Sequence, residues 1–362
     1  MERSDPGIPA YRFIYEDIRK KIIDGTYPTG RRLPSKRTAA ADYGVSVITA
    51  EHAYALLCDE GYIESRQRSC YFVSYRARDS FPVGGRHKLP PVTEGDDDGG
   101  GFPHSVYAKT VRRVLADYEG LLYEKSPTGG LFVLRRAIAD YLERSRNITA
   151  DPGRIFVGSG AEYLYSLMTL ILGRDRVFAV ESPSYGQILR IYRGSGIECE
   201  ELRLTPTGID SAELERSRAE VLHITPYRSY PSRVTASAPK RREYVEWARE
   251  RGGFLIEDDV ESEFAPAPRP TETLYSLAPE RVVYLNTFSK TIFPSLRAAY
   301  LILPDALMPA YAEKASFLTC TVPSLEQCVI AELIDSGDFE RNLNRMRRKR
   351  KSAERTAAAN RE

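Results

Sequence analysis

The sequence predicts an α/β protein with a small, mainly helical first part and a larger part in which strands and helices alternate. Apolar residues recur at helical spacing through the first part. In the larger part, short apolar runs alternate with helical patterns, which is typical of a mainly parallel sheet covered by helices. A stretch rich in Pro, Gly and Asp separates the two, and 362 residues are enough for two domains.

The overall composition is that of a globular protein, with 42% hydrophobic and 28% charged residues. A net charge of +2 excludes nucleic-acid binding through overall charge and leaves a local basic face open. The five cysteines are widely spaced and form no CxxC pair, so we expect reduced thiols and no zinc site. The amino-terminal residues are polar, and no run is apolar enough to span a bilayer. These features predict a cytoplasmic protein without a membrane partner.

The first part, residues 1–76, predicts three helices followed by two short strands. Gly25 ends the first helix, Ser35 caps the second, and Ser46 caps a third that stops at Gly61. Two strand-like pieces then flank residues 66–69. Helix, helix, turn, helix and a two-stranded wing make a winged helix-turn-helix.

Four stretches of this part stand in a characteristic order: GRRLPSKR (30–37), GVS (44–46), EGYIES (60–65) and YFV (71–73). Together they resemble the GntR-type domain that binds double-stranded DNA. The resemblance implies that the start of the second helix binds phosphates, that the third helix enters the major groove and that the wing touches the minor groove. The DNA-binding residues so predicted are Ser35, Lys36, Arg37, Ser46, Val47, Thr49, Arg66 and Arg68.

Two features depart from that pattern. Val47 stands where the family usually has an arginine that reads bases, and a valine can contact a thymine methyl but cannot bind guanine bidentately. Arg68 and Cys70 stand where the wing usually carries glycines. A winged helix kept for dimerisation therefore remains an alternative to sequence-specific binding.

Residues 77–102 lose all periodicity and include GDDDGGG at 95–101, which predicts a flexible linker. An acidic, glycine-rich run also suggests a calcium loop. This one lacks the alternating ligand spacing and the terminal glutamate of an EF-hand, so we expect a solvated linker.

The larger part centres on Lys290, within the polar stretch NTFSKTIFPSLR (286–297) that joins two apolar runs. Thr287, Ser289 and Arg297 accompany the lysine. An amine with hydroxyls and a guanidinium suits an aldehyde cofactor that carries a phosphate. The amine forms a Schiff base, and the other groups hold the phosphate. A solvated loop lysine is the alternative.

Other strand ends in this part are polar as well. Gly158–Gly160 (GSG) follows an apolar strand and opens a helix, where free N–H groups favour an anion. Tyr185 follows the next strand and can stack on a flat ring. Another strand ends at Glu257, Asp258 and Asp259, and a carboxylate opposite a pyridine nitrogen keeps the ring protonated. Ligands of such sheets collect at the carboxyl ends of the strands.

With SPTGGLFVLR (126–135), this ordered set resembles the fold-type-I pyridoxal-phosphate enzymes of the class I/II aminotransferase family. The resemblance implies a body over residues 103–340 that binds pyridoxal 5'-phosphate. Lys290 would be its Schiff-base lysine and catalytic residue, Asp258 would pair the pyridinium nitrogen and Tyr185 would stack on the ring. The implied phosphate-binding residues are Gly160, Ala161, Thr287, Ser289 and Arg297.

A GntR-type head before such a body resembles the MocR subfamily of bacterial transcription regulators. Membership implies a homodimer whose body senses an amine, an amino acid or a B6 vitamer. One alternative is a working aminotransferase for an amino acid, in which Lys290 also moves the proton of the substrate's α-carbon. A truncated or decaying copy that binds neither ligand well is a third.

Several features favour sensing over turnover. Val260 stands where relatives have a tyrosine at the ring hydroxyl, and Gln187 where some have a substrate-binding arginine. Residues 341–362 predict a basic helix, either a nucleic-acid patch or, as we favour, a solvated lead into a C-terminal subdomain that this sequence lacks. In relatives that subdomain closes the site and supplies a carboxylate-binding arginine, so its absence predicts poor substrate orientation.

Overall fold

A computed structural model of the chain describes residues 9–66, 70–76, 101–264 and 272–359. It divides into two compact units, Met1–Thr93 and Glu94–Glu362, here called the head and the body. Most of the predicted linker, residues 77–100, lies outside the described ranges, and so does Arg68. Among the helices in those ranges, none has both the length and the apolar character that a bilayer crossing requires.

The head is the predicted winged helix-turn-helix. Its elements are α1 (Ala10–Ile23), α2 (Lys36–Tyr43), α3 (Val47–Asp59), β1 (Ile63–Arg66) and β2 (Cys70–Val73). The two predicted caps form, because Ser35 accepts a hydrogen bond from the Thr38 N–H and Ser46 accepts one from the Thr49 N–H. The strands β1 and β2 pair antiparallel as the wing. All three helices contribute to one apolar core.

The body contains eleven helices and eight strands in its described residues. The helices are α4 (His104–Asp117), α5 (Glu119–Leu122), α6 (Phe132–Arg146), α7 (Ala161–Leu172), α8 (Gly186–Gly194), α9 (Ser211–Arg216), α10 (Ala238–Arg251), α11 (Leu274–Leu277), α12 (Met308–Lys314), α13 (Ser324–Asp335) and α14 (Asp338–Ala359). The strands are β3 (Ile155–Gly158), β4 (Phe178–Ser182), β5 (Cys199–Thr205), β6 (Gly208–Ile209), β7 (Val221–Ile224), β8 (Phe254–Asp258), β9 (Val282–Thr287) and β10 (Ala299–Ile302).

The strands form one mixed sheet in the order β3-β10-β9-β8-β7-β4-β5-β6. From β5 through β4, β7 and β8 to β9 the neighbours are parallel, whereas β10 runs antiparallel to both β9 and β3. Successive residues of one strand enter opposite apolar cores, as Val221 and Leu222 do. Helices therefore cover both faces, which confirms the predicted α/β body with its mainly parallel sheet.

This topology places the polar strand ends at one edge of the sheet. The strands β3, β4, β7, β8 and β9 all run in the same direction, so their carboxyl ends meet there. Ala299 of β10 lies opposite Gly158 of β3 on one side and Thr287 of β9 on the other. The glycine turn and the lysine stretch, far apart in sequence, are thus separated by a single strand.

Candidate functional site

The first part of the site is formed by the start of α7 and the guanidinium of Arg297. Gly160 caps α7 with φ of +96°, a conformation that favours glycine. A Cβ at Gly160 would overlap the guanidinium of Arg297, so the two groups lie in direct contact. Because a helix N-terminus and a guanidinium both attract negative charge, this corner can bind a phosphate. A carboxylate already lies there, since Arg297 donates a hydrogen bond to Glu162 in the first turn of α7.

Hydroxyl groups of the β9–β10 connection lie beside this corner. The Thr287 hydroxyl donates to the Ala298 carbonyl oxygen at 3.1 Å and accepts from the Ser289 N–H at 3.2 Å. The Ser289 hydroxyl is buried and has no hydrogen-bond partner among the described residues. A buried hydroxyl without a partner is costly, so Ser289 is a donor that a bound oxyanion would satisfy.

Asp258, the last residue of β8, lies in the buried part of the site and is 3% exposed. Its Oδ2 accepts a hydrogen bond from the Tyr165 hydroxyl and lies 3.6 Å from Nε2 of His223. Its Oδ1 is buried without a partner in the described part of the chain. One oxygen is therefore held by the protein, and the other is available to a cationic N–H donor such as a pyridinium.

Tyr165 and His223 are site residues that our sequence reasoning did not identify. Tyr165 comes from α7, and burial, followed by the charge of Asp258, raises the pKa of its hydroxyl well above the usual value. The phenol therefore stays protonated and donates. His223 lies in the buried strand β7, where Nδ1 lies 2.7 Å from the Tyr192 hydroxyl. A histidine inside the apolar run VLHI was the available signal, because a buried imidazole requires polar partners.

Lys290 follows β9 and is held by a carboxylate. Its Nζ lies 2.5 Å from Oε1 of Glu261, and Nη1 of Arg350 lies 3.5 Å from the other oxygen of the same carboxylate. Burial raises the pKa of Glu261, but the hydrogen bond and charge of Lys290, followed by Arg350 and Arg228, bring it below its usual value. Glu261 therefore stays ionised. Sequence reasoning missed it because it lies 29 residues from the lysine.

Tyr185 lies at the start of α8, near the corner formed by Gly160 and Arg297, and its side chain is 41% exposed. Burial, followed by the charge of Glu162, raises the pKa of its phenol. Glu162 thus lies close to both Tyr185 and Arg297. The structure brings the predicted residues together at the carboxyl edge of the sheet: Gly160, Ala161, Tyr185, Asp258, Thr287, Ser289, Lys290 and Arg297.

A buried ionic network lies immediately behind Asp258. Arg146 at the end of α6 has a side chain only 4% exposed, and its Nη2 lies 3.2 Å from Oδ2 of Asp259 and 4.0 Å from Oε1 of Glu263. The Tyr284 hydroxyl donates to Asp259 at 2.6 Å, and the Tyr141 hydroxyl donates to Glu263 at 2.7 Å. The network holds the segment directly after β8 in place, and Asp258 is the last residue of that strand.

The candidate DNA interface of the head comprises the starts of α2 and α3. Arg37 is exposed, whereas Lys36 bonds to Glu51 of α3 and so ties the two helices together. Val47 is exposed at the start of α3. Arg66 at the end of β1 is exposed and hydrogen-bonds Glu64 at 2.6 Å. The predicted residues inside the described ranges thus lie around two neighbouring helix N-termini and the wing.

Sequence comparison assigns both units. The family described as bacterial regulatory proteins, gntR family, matches residues 10–73, and the family described as aminotransferase class I and II matches residues 99–360. The chain belongs to the MocR-type GntR regulators. Its similarity to the HTH-type transcriptional regulator YdeL of Bacillus subtilis is 30% identity, over 94% of this chain and 76% of that protein.

Other MocR-type regulators are similar over nearly the whole chain. The pyridoxine biosynthesis transcriptional regulator PdxR of Corynebacterium glutamicum is 30% identical over 92% of this chain and 74% of its own length. The probable rhizopine catabolism regulatory protein MocR of Rhizobium meliloti is 26% identical over 95% and 75%. The chain therefore spans about three quarters of the length of these relatives.

The body of this MocR-type chain has the fold of solved aminotransferases. A multiple substrate aminotransferase from Thermococcus profundus matches with a TM-score of 0.62 and 22% identity, over 68% of this chain and 64% of that one. The α-aminoadipate aminotransferase LysN from Thermus thermophilus matches with a TM-score of 0.59 and 28% identity, over 68% and 64%. The chain spans a little under two thirds of these enzymes.

Glu181 of the regulator is expected to make the stability of the body depend on pH. It is buried near the end of β4, and its Oε1 accepts hydrogen bonds from the Ser229 hydroxyl and from the Thr225 N–H at 3.3 Å. Burial raises its pKa to about 7 despite those bonds. The pKa of Glu181 is higher in the folded protein than in the unfolded chain, so the protonated carboxyl favours the folded state. This contribution to the free energy of unfolding is complete below about pH 4.5 and is lost as pH rises through about 7.

We expect Glu181→Gln to remove that dependence, because the amide oxygen can accept both hydrogen bonds and the amide does not ionise. From pH 5 to pH 8, wild type should lose on the order of 3 kcal/mol more unfolding free energy than the variant. Thermal unfolding of both proteins across this range measures the difference. The exposed Glu198→Gln is the control, and parallel curves for wild type and Glu181→Gln would contradict the assignment.

Proposed function

We propose that this chain is a cytoplasmic, homodimeric transcription regulator. Its head binds double-stranded DNA, and its body holds pyridoxal 5'-phosphate on Lys290. An amine, an amino acid or a B6 vitamer that reaches the body alters DNA binding. The observation that carries the proposal is the convergence, at one sheet edge, of three features. They are Lys290, the corner of Gly160 and Arg297, and Oδ1 of Asp258, which has no hydrogen-bond partner among the described residues.

These residues fit the cofactor in three chemically distinct ways. Arg297, Ser289 and the first N–H groups of α7 would hold its phosphate. Asp258 would hold its ring nitrogen, kept in place by the hydrogen bond from Tyr165. Lys290 would bind its aldehyde, and Tyr185 would cover one face of the ring. When bound, the cofactor supplies an electrophilic carbon at which amines react.

The surroundings of Lys290 support sensing rather than turnover. The Lys290 side chain is 45% exposed, whereas catalysis at such a site benefits from exclusion of water. Val260, in the turn after β8, presents no polar group to a ring hydroxyl. Gln187, in the first turn of α8, lacks the charge that would hold a substrate carboxylate. An amine can exchange on such a site without being oriented for proton transfer.

Binding of DNA by the head is tested with Arg37→Ala in the full chain. Electrophoretic shift assays would use the DNA upstream of the regulator's own gene at several salt concentrations. We expect the slope of log affinity against log salt to become shallower by about one unit per head, and affinity near 0.1 M salt to fall about tenfold. Both changes follow from the loss of one phosphate contact.

Arg12→Ala is the matched control, because Arg12 is an exposed arginine of the same unit that pairs with Glu16 on α1. It should leave the salt slope unchanged. Equal affinities of wild type and Arg37→Ala at every salt concentration would show that the start of α2 does not bind phosphate.

A further inference from the structure

The start of α3 presents an exposed aliphatic surface, here called the α3 tip and formed by Val47 and Ile48. Val47 is 43% exposed and Ile48 is 79% exposed, although the opposite face of the same helix is fully buried in the head. Neither side chain belongs to the apolar core of the head. The tip is therefore available to a partner.

Polar side chains near the tip are already engaged within the head. The Thr49 hydroxyl lies 2.8 Å from the Ser46 hydroxyl, and the Glu51 carboxylate bonds to Lys36. The ring of His52 stacks on Tyr11 with centroids 4.1 Å apart. Hydrogen-bonding readout of a base edge by Thr49 or Glu51 would compete with the contact that each already makes with Ser46 or Lys36. The two aliphatic side chains can make contacts without such a cost.

Charge next to the tip selects a polyanion as the partner. Residues 31–37 hold four cations, Arg31, Arg32, Lys36 and Arg37, and the N-terminus of α2 adds its free N–H groups. Lys36 pairs with Glu51 of α3, so the start of α2, which also carries Arg37, lies beside α3. Cations beside a protruding helix start are the arrangement in which the backbone of a duplex is fixed and the helix meets base edges.

We propose that the α3 tip reads the 5-methyl groups of thymine in the major groove, through apolar contact with Val47 and Ile48. The inference rests on the DNA binding proposed above and specifies its ligand as duplex DNA with thymine at the positions that the tip meets. The methyl group distinguishes thymine from the other bases of the major groove. The head thereby discriminates sequence by apolar contact instead of by a guanidinium on guanine.

The experiment starts by selecting duplexes from a randomised library with the full-length chain. Each thymine of the selected duplex is then replaced singly by deoxyuridine, which removes the methyl group and leaves every hydrogen-bonding group in place. We expect about a fourfold loss of affinity at one or two positions and none elsewhere, as for the loss of one buried methyl group. Val47→Ala or Ile48→Ala should weaken binding of the thymine duplex and abolish its advantage over the deoxyuridine duplex.

Arg37→Ala serves as the contrasting variant, since it should weaken both duplexes equally. Both aliphatic residues are exposed, so their truncation leaves the fold of the head intact, which circular dichroism verifies. Equal binding of thymine and deoxyuridine duplexes at every position would overturn methyl readout and leave DNA binding standing. A complete lack of salt-dependent DNA binding would overturn both. An altered oligomeric state of Ile48→Ala with unchanged duplex affinity would assign the tip to a protein contact and overturn the inference.

Discussion

We expect the wild-type regulator to gain a visible absorbance band with pyridoxal phosphate, and substitution of Lys290 by alanine to abolish that band. Lys290 is an amine at the carboxyl edge of the sheet, where Asp258 and the contact between Gly160 and Arg297 also lie. Covalent attachment requires that amine, whereas the phosphate and ring contacts do not. The variant should therefore retain weak, noncovalent binding without the band.

Two further variants make this result specific. Lys290→Arg keeps a cation opposite Glu261 but cannot form the covalent bond, so it too should lack the band. Lys314→Ala removes an exposed lysine of α12 and should match wild type. Absorbance titration measures the band, and dialysis distinguishes covalent from noncovalent binding. A band of wild-type intensity in Lys290→Ala would assign the cofactor to another amine. In the electrophoretic shift assay, Lys290→Ala should also lose any response of DNA binding to pyridoxal phosphate.

Substitution of Arg146 by methionine is expected to destabilise the body by about 3–5 kcal/mol. The guanidinium is buried between Asp259 and Glu263, and Glu257 is buried nearby. Methionine fills similar space without the charge, so the carboxylates would lose their cation in an apolar surrounding. Burial raises the pKa of Asp259 and the charge of Arg146 lowers it, so without the arginine this carboxyl would protonate more readily. The loss should therefore be larger at pH 8 than at pH 5.

Thermal unfolding measures this effect, and a fall of about 10 °C is expected for a body of this size. Arg144→Met is the control, because Arg144 lies two residues earlier on α6 and pairs with Glu340 at the surface. An exposed pair of this kind contributes at most about 1 kcal/mol. If the two variants unfolded at the same temperature, the buried network would not stabilise the body.

Local sequence signals predicted what depends on neighbouring residues. Ser35 and Ser46 begin helices because their side chains accept from N–H groups three residues ahead. The turn at Gly160 and the carboxylate at the end of β8 follow in the same way from short-range pattern. Once parallel strands were expected, the shared edge of the sheet followed, and this brought Asp258, Gly160 and Lys290 together.

Contacts across long sequence distances could not be predicted in this way. Tyr165 and Asp258 are 93 residues apart and meet only when α7 packs on the sheet. A tyrosine in an apolar helix and a glutamate after a strand carry no local sign of a partner, so Tyr165 and Glu261 stayed unidentified. Arg146 was not identified either, since its carboxylate partners follow β8, more than a hundred residues away. Pairing of charges in the interior is a property of packing, which one sequence does not encode in short patterns.

Glu162 pairs with Arg297 and Glu261 pairs with Lys290, so the proposed binding of pyridoxal phosphate would be an exchange of one anionic partner for another. A phosphate that reaches Arg297 replaces a carboxylate already bonded there, and an aldehyde that reaches Lys290 must separate an ion pair. Loss of each existing ion pair would offset part of the free energy gained from the ligand. The net affinity would therefore be lower than at a site with unpaired cations. Occupancy of such a site would still change with ligand concentration in a range where a site of unpaired cations would already be saturated. Under the proposed function, the two glutamates would compete with the ligand and raise the concentration at which the regulator responds.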